Sequence, residues 1–320
     1  MRSYAVALCV MVVSTLAAAQ SYPVRPVRLI IPFAAGSSSN DILGRALAQK
    51  LGDALGQQVV VDNRAGAGGN LGSEIAAKSP PDGYTILLGI NGPMAISPSV
   101  YPQLGYDPLK DLAPIARFAV VPYSIILNPA VAANTIGELI ALAKAKPGQL
   151  NFGSSGSGGT PHLCGELLKT MAGIDMVHVP YKAGAPAVID LVGGQVQMYC
   201  AGLTAVLPLV KSGKLRVIAA TTLNRSPLMP DMPTVHESGV SGFDVSSWIG
   251  VLAPAKTPAP VIRRLYEEIA RIVNDPEMKN FILSQGSEPG LMDPAQFGAY
   301  MKAEVAKWAK VVKSANVRPD

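Results

Sequence analysis

Charged and aromatic side chains are both scarce in this 320-residue chain, at 15% and 6% of positions. With 27 basic against 22 acidic side chains and no basic run longer than Arg263-Arg264, it has neither the positive groove nor the stacking rings of a nucleic-acid surface. No nucleic-acid partner is expected. Histidine is confined to His162, His178 and His236. None stands at metal-ligand spacing from a cysteine or another histidine, so no metal is expected. No stretch fits the G-x-S-x-G of a hydrolase elbow; around Ser155 the pattern fails because Ser157 stands where the last glycine belongs. A G-K-[ST] phosphate loop is absent as well. The glycines Gly66, Gly68, Gly69 and Gly72 follow a strand-like run and open a helix-like one, but they miss the G-x-G-x-x-G spacing when read from Gly66, and from another start no acid follows about 20 residues on. They read as a tight turn that lets the next helix pack closely, with contact to a ligand at the rim as the alternative. No cofactor is expected.

Long apolar runs are also missing. The first nineteen residues read as a secretory signal: Arg2 is the charged start, Tyr4 to Val13 the apolar core, and Ala17-Ala18-Ala19 a small-residue cleavage site before Gln20. Later segments never reach the roughly 18 apolar residues that span a bilayer. The mature chain is expected to be exported, cleaved after Ala19. Cys9 lies inside the signal core, so no lipid attachment is expected. Of the other two cysteines, Cys164 falls in a helix-like run and Cys200 in a strand-like one. An exported protein permits a disulfide where geometry does, but two separate buried thiols are the expectation.

What the chain does have is alternation. Strand-like runs occur at Val27 to Pro32, Val59 to Asp62, Tyr84 to Ile90, Leu112 to Leu127 (broken at Pro122), Leu150 to Ser154, Met176 to Val179, Gln197 to Ala201, Leu215 to Thr221 and Val245 to Ala253. Helix-like runs lie between them. This is the pattern of an α/β fold with mainly parallel sheets flanked by helices. Two long amphipathic helices close the chain, at Pro260 to Asn274 and Pro294 to Ala315, and Asp275-Pro276 and Asp293-Pro294 supply N-caps followed by proline. The extended segments Phe118 to Pro129 and Phe243 to Pro254 read as two crossings between domains. Two crossings imply that one lobe, 121–249, is inserted into another made of 22–120 plus 250–320.

Two hydroxyl- and glycine-rich loops stand out. One is Phe33, Ala34, Ala35, Gly36, Ser37, Ser38, Ser39, Asn40 and Asp41; the other is Ser154, Ser155, Gly156, Ser157, Gly158, Gly159 and Thr160, followed by Pro161 and His162. Each follows a strand and opens a helix, so each aims free N–H groups and a helix's positive end at one spot. The loops fall in different lobes, which places their meeting point in the cleft. Neither contains Lys or Arg, which favours a small carboxylate held by neutral donors over a phosphate polymer. Asp41 is expected to cap its helix, with contact to a ligand as the alternative, and the ring of His162 to support its loop or face the cleft. Trp248, on a crossing strand, suits core and cleft equally and is counted with the site.

The chain also resembles the tripartite tricarboxylate transporter receptor family, extracytoplasmic solute receptors also called Bug proteins. Six blocks carry the resemblance in order: Tyr22 to Phe33, Gly56 to Gly69, Pro81-Asp82-Gly83-Tyr84-Thr85, His178-Val179-Pro180-Tyr181-Lys182, Pro230-Asp231-Met232-Pro233-Thr234 and Trp248-Ile249-Gly250. The resemblance implies a two-lobed periplasmic binding protein, type II-like, that closes on a small organic acid and delivers it to membrane permease subunits. It implies a monomer with no catalytic residues, and it carries the site onto Phe33 to Asp41 and Ser154 to Thr160. Two departures are visible. Ser37-Ser38-Ser39-Asn40 makes the first loop slightly longer than in many members. Where relatives often show Phe-Asp followed by a polar residue, this chain reads Tyr199-Cys200-Ala201-Gly202, with Ala201 in place of the acid. Ala201 and Gly202 therefore join the expected site, and the ligand shifts toward a carboxylate with an apolar or aromatic body. Two other functions stay open at this point: a sensing module that docks on a sensor kinase, and an exported hydrolase using Ser155 or Ser157.

Overall fold

β-Branched and aliphatic runs form strands and the amphipathic runs between them form helices, in a computed structural model that describes residues 22–36 and 39–317. The signal segment and Ser37 and Ser38 lie outside the described residues. The chain begins with β1 (Val27–Ile31), α1 (Ser39–Leu55), β2 (Val59–Asn63), α2 (Asn70–Ala77) and β3 (Thr85–Ile90). A π-helical turn, Gly92–Ile96, leads into α3 (Ser97–Val100), and then comes the long β4 (Leu112–Leu127). Next are α4 (Ile136–Ala145), β5 (Asn151–Ser154), α5 (Thr160–Ala172), β6 (Val177–Pro180), α6 (Gly184–Val192), β7 (Met198–Gly202), α7 (Leu203–Lys211) and β8 (Arg216–Ala220). The chain ends with β9 (Ser246–Pro254), α8 (Ala259–Asn274), α9 (Pro276–Ser284), β10 (Glu288–Met292) and α10 (Pro294–Ser314).

The strands form one sheet in the order β2-β1-β3-β9-β4-β7-β5-β6, with β8 and β10 also paired to β4. β1, β2 and β3 run parallel, as do β5, β6 and β7. The crossing strands β4 and β9 join these two parallel groups antiparallel. β4 is not broken at Pro122: Leu112 to Pro122 pair with β9, and Tyr123 to Leu127 pair with β7 and β8. The proline sits where β4 changes partners, a point at which its missing N–H is tolerated. β10 has no counterpart in the sequence reading, because Glu288-Pro289-Gly290 carries none of the usual strand residues.

The core clusters follow this division. α1 and α8 cover one end, with Leu43, Leu47 and Leu51 meeting Leu265, Ile269 and Val273 over β1, β3 and β9. Full burial of each such side chain stabilises the fold by about 1.5–3 kcal/mol. At the other end α4 and α5 pack Leu139, Leu163 and Leu168 over β5 and β7. Helix α10 starts with a capping box in which the Asp293 carboxylate accepts the Gln296 N–H. It then reaches both ends. Phe297 and Met301 pack with Trp248, whereas Trp308, Val311 and Val312 join the α4–α5 cluster. The last turns of the chain therefore stabilise the part of the fold that the sequence assigns to the inserted lobe.

The cysteines are not two separate thiols. Cys164 and Cys200 form a disulfide with Cα atoms 6.4 Å apart. Cys200 faces the same side of the sheet as Ile125, and α5 lies across that side, so the two sulfurs meet inside the core.

Candidate functional site

The carboxyl ends of β3, β5 and β7 point to one crevice, the usual position of a ligand in an open α/β sheet. A cavity of about 420 Å³ opens there. Asn40, Gly68, Ile90 and Gly92 form one wall, and Ser155, Gly159, Thr160 and Pro161 form the opposite one. Tyr123, Tyr199, Ala201 and Gly202 come from β4 and β7, and Gly184 and Ser247 complete the outline. Among the described residues that line it, none is charged. Helix amino ends replace side-chain charge. Asn40 is in the first turn of α1, Thr160 and Pro161 open α5, Gly184 opens α6, Gly202 precedes α7, and Gly68 stands just ahead of α2. Each end contributes roughly 0.3–1 kcal/mol to a nearby anion, so two or three acting on one carboxylate are a substantial attraction.

The second loop is shaped from beneath. Ser154, fully buried, bonds through Oγ to the Gly156 carbonyl oxygen at 3.1 Å and accepts the Gly156 N–H at 3.2 Å. His178 Nε2 lies 2.6 Å from the same hydroxyl. Neither Ser154 nor His178 lines the cavity, and the buried Ser154 hydroxyl holds the loop through Gly156. His162, 6% exposed, accepts the Gly158 N–H at Nδ1 and supports the loop instead of facing the cleft. Gly158 itself takes φ +75°, and a Cβ there would come within 3.2 Å of Val100, so only glycine fits without displacement. The residues at the loop's two ends, Ser155 and Thr160, line the same cavity as Tyr199 and Tyr123. Burial raises both phenols, Tyr123 to about 12, with the Tyr199 ring adding to the rise at Tyr123. Both therefore stay neutral donors at physiological pH.

The first loop is clasped by Asp41. Its carboxylate, 1% exposed, accepts the Gly36 N–H at 2.8 Å, Arg45 Nε at 2.9 Å and Asn63 Nδ2 at 2.7 Å. Burial alone would raise its pKa, but these bonds outweigh burial and hold it below the usual range. Asp41 lies inside the first turn of α1, so it neither caps the helix from outside nor faces the cavity. Asn63 Nδ2 also donates to the Phe33 carbonyl oxygen, which pins the other end of the loop. Phe33 is half-buried, its ring against Gly69, while Ala34, Ala35 and Gly36 are exposed and Ser39 is half-buried. Asn40 is the residue of this loop that reaches the cavity.

Ala201 and Gly202 line the cavity, and so do Ser155, Gly159 and Thr160. Gly156, Ser157 and Gly158 are half-buried in the loop that carries them. Trp248 does not line this cavity. It is fully buried, edge-on to Phe297 at 5.1 Å between ring centres, because alternation along β9 turns Trp248 into the core and leaves Ser247 at the cavity. The sequence reading passed over Tyr123, Tyr199, Ile90, Gly92, Gly184 and Ser247. Ile90, Gly92 and Gly184 stand at the end of a strand or the start of a helical turn, whereas Tyr123, Tyr199 and Ser247 reach the cavity from within strands. Gly68 lines the cavity, while Gly69 and Gly72 pack tightly against Phe33, Pro93 and Pro32. Among the described residues no three His, Cys, Asp or Glu side chains converge to hold a metal.

Comparison with known proteins points the same way. The family model of the tripartite tricarboxylate transporter family receptor matches residues 43–317. Protein BugT of Bordetella pertussis is 37% identical over 301 residues, covering 94% of this chain and 92% of that protein. Among solved structures, R. palustris Rpa4515 with adipate superposes with a TM-score of 0.80 at 36% identity, covering 93% of this chain and all of that one. The periplasmic binding protein BugD gives 0.76 at 37% identity, with the same coverage. MatC from Rhodopseudomonas palustris with bound malate gives 0.74 at 28%, covering 91% of this chain and all of that one. The fold is that of the two-lobed periplasmic binding proteins.

Proposed function

This chain belongs to the tripartite tricarboxylate transporter receptor family, and on that premise we propose that it captures a small organic carboxylate in the crevice between two lobes and delivers it to the membrane subunits of a tripartite transporter. The observation that carries this reading is the cavity itself: no charged side chain among the described residues that line it, and a ring of helix amino ends and loop donors. Residues 22–120 plus 250–320 make one lobe and 121–249 the other, with β4 and β9 as the crossings. Closure brings the Asn40 wall toward the Ser155 wall and buries the anion, each charge-assisted bond contributing about 1.5–3 kcal/mol. The closed shape is what the permease reads. Relatives hold adipate and malate. Here the strand residues Tyr123, Tyr199 and Ala201 also line the cavity, which suits an apolar or aromatic body and offers no acid to an amino group.

A thermal-shift panel of mono-, di- and tricarboxylates, followed by calorimetry, tests the reading. Stabilisation by at least one non-amino carboxylate with 1:1 stoichiometry is expected. No response across the panel sinks it. Export is part of the proposal: intact mass of the periplasmic protein should correspond to a chain starting at Gln20 without lipid, and retention of Arg2 or a diacylglycerol adduct would contradict that.

A further inference from the structure

The loop that gives the cavity Ser155, Gly159 and Thr160 rests on two imidazoles that form no part of its wall. His162, in the first turn of α5, accepts the Gly158 N–H at Nδ1, 3.0 Å away. His178 on β6 meets the Ser154 hydroxyl at 2.6 Å, and that hydroxyl in turn bonds the Gly156 backbone. The two rings stack face to face, their centres 3.7 Å apart and their planes 9° from parallel. Phe152 packs at 5.0 Å from the His178 ring and 6.3 Å from the His162 ring. Charged groups on α5 also face the pair. Glu166 Oε1 is 3.9 Å from His162 Nε2, and Lys169 Nζ is 2.9 Å from the same carboxylate oxygen and 5.8 Å from the Phe152 ring centre.

A ring nitrogen that accepts a hydrogen bond carries no proton. His162 can therefore hold Gly158 only as the neutral imidazole with its proton on Nε2. Protonating Nδ1 sets one donor against another, and the Gly158 N–H must give up its partner. Gly158 has little room to adjust alone, because its left-handed backbone already lies against Val100. The whole turn from Ser155 to Thr160 moves instead. We infer that His162 and His178 are positioning residues for the ligand loop, and that ligand affinity falls as the His162 imidazole becomes protonated. This rests on the reading of the cavity as a carboxylate site.

The test uses the full mature chain and two readouts. The first needs no ligand: the protection of the Gly158 amide against hydrogen exchange, corrected for intrinsic rate, at about pH 8 and about pH 6, a span in which imidazoles titrate. Protection should fall several-fold toward the acid end in the parent. It should stay flat in His162→Asn, whose Oδ1 can accept the same N–H without titrating, and be low at both pH values in His162→Leu. Equal protection at both pH values in the parent, or the same acid loss in His162→Asn, overturns the inference. The second readout is adipate affinity by calorimetry over the same range. Affinity should drop up to about tenfold in the parent beyond whatever slope His162→Asn shows from adipate itself. A parent slope equal to that of His162→Asn, or tighter binding at acid pH, also overturns it. If adipate does not bind at any pH while Gly158 protection behaves as expected, the loop inference stands and the carboxylate reading loses its adipate support.

Discussion

Ala201→Asp places a carboxylate in the uncharged cavity. Ala201 is 6% exposed, at the end of β7 beside Gly202, and Tyr123, Tyr199 and Ile90 line the same space without an opposing cation. With the bound anion about 5 Å away and an effective dielectric constant near 20, the repulsion is about 3 kcal/mol. That corresponds to at least a hundredfold weaker binding at neutral pH. The new side chain can escape part of this by taking up a proton, since burial and a neighbouring anion both favour the neutral acid. Its pKa in the complex would then be raised. The affinity loss should therefore be largest at neutral pH and shrink as pH falls toward the raised value. Calorimetry at about 0.1 M salt, on whichever carboxylate the panel identifies, measures both effects. Aspartate and glutamate should gain relative to the parent, because the new carboxylate can meet an amino group. Parent-like affinity at neutral pH, with the fold confirmed by circular dichroism, would mean that Ala201 does not face the ligand and that the argument for an apolar ligand body has no basis.

Other perturbations separate the loops from the scaffold. Gly158→Val combines a positive φ with a Cβ 3.2 Å from Val100; it should weaken carboxylate binding about tenfold or more while the far-ultraviolet dichroism is unchanged. Asp41→Asn should lower stability at neutral pH by about 1–3 kcal/mol in urea unfolding, because the buried acceptor for Gly36, Arg45 and Asn63 loses its charge. The Asp41 pKa is depressed in the fold. Its contribution is therefore present above the unfolded value of about 3.9 and disappears as pH falls through the lower folded value, so the two proteins should converge in acid. Replacing both Cys164 and Cys200 by alanine opens a cross-link across 36 residues of sequence and should destabilise by about 3–4 kcal/mol. Unfolded parent protein should show no free thiol after signal removal, and a titratable pair would contradict the bond.

Much of this architecture can be read directly from residues. The strand at Val27 to Ile31, the helices capped at Asp275 and Asp293 and the two glycine-rich loops follow from local pattern and capping chemistry. Long-range geometry is where reading stops. Pro122 looks like a strand breaker, yet β4 continues through it because partners change there. Cys164 and Cys200 meet because α5 crosses β7, which spacing along the chain does not disclose. Trp248 and Ser247 are neighbours in sequence and take opposite faces, so one residue of register decides which belongs to the site. In sequence Asp41 and His162 allow either a supporting role or contact with a ligand; the fold turns both inward as supports. Tyr123 and Tyr199 carry no loop signal, since they reach the cavity from within strands.

The central claim is that one small carboxylate lies between the Asn40 wall and the Ser155–Thr160 loop. A crystal structure of the mature protein with the tightest-binding carboxylate of the panel tests it most directly. The account expects carboxylate oxygens within hydrogen-bond reach of N–H or hydroxyl groups from both walls, with the rest of the molecule against Tyr123, Tyr199 and Ala201. A carboxylate bound elsewhere on the surface, or one held by Lys or Arg side chains with both loops untouched, would contradict it.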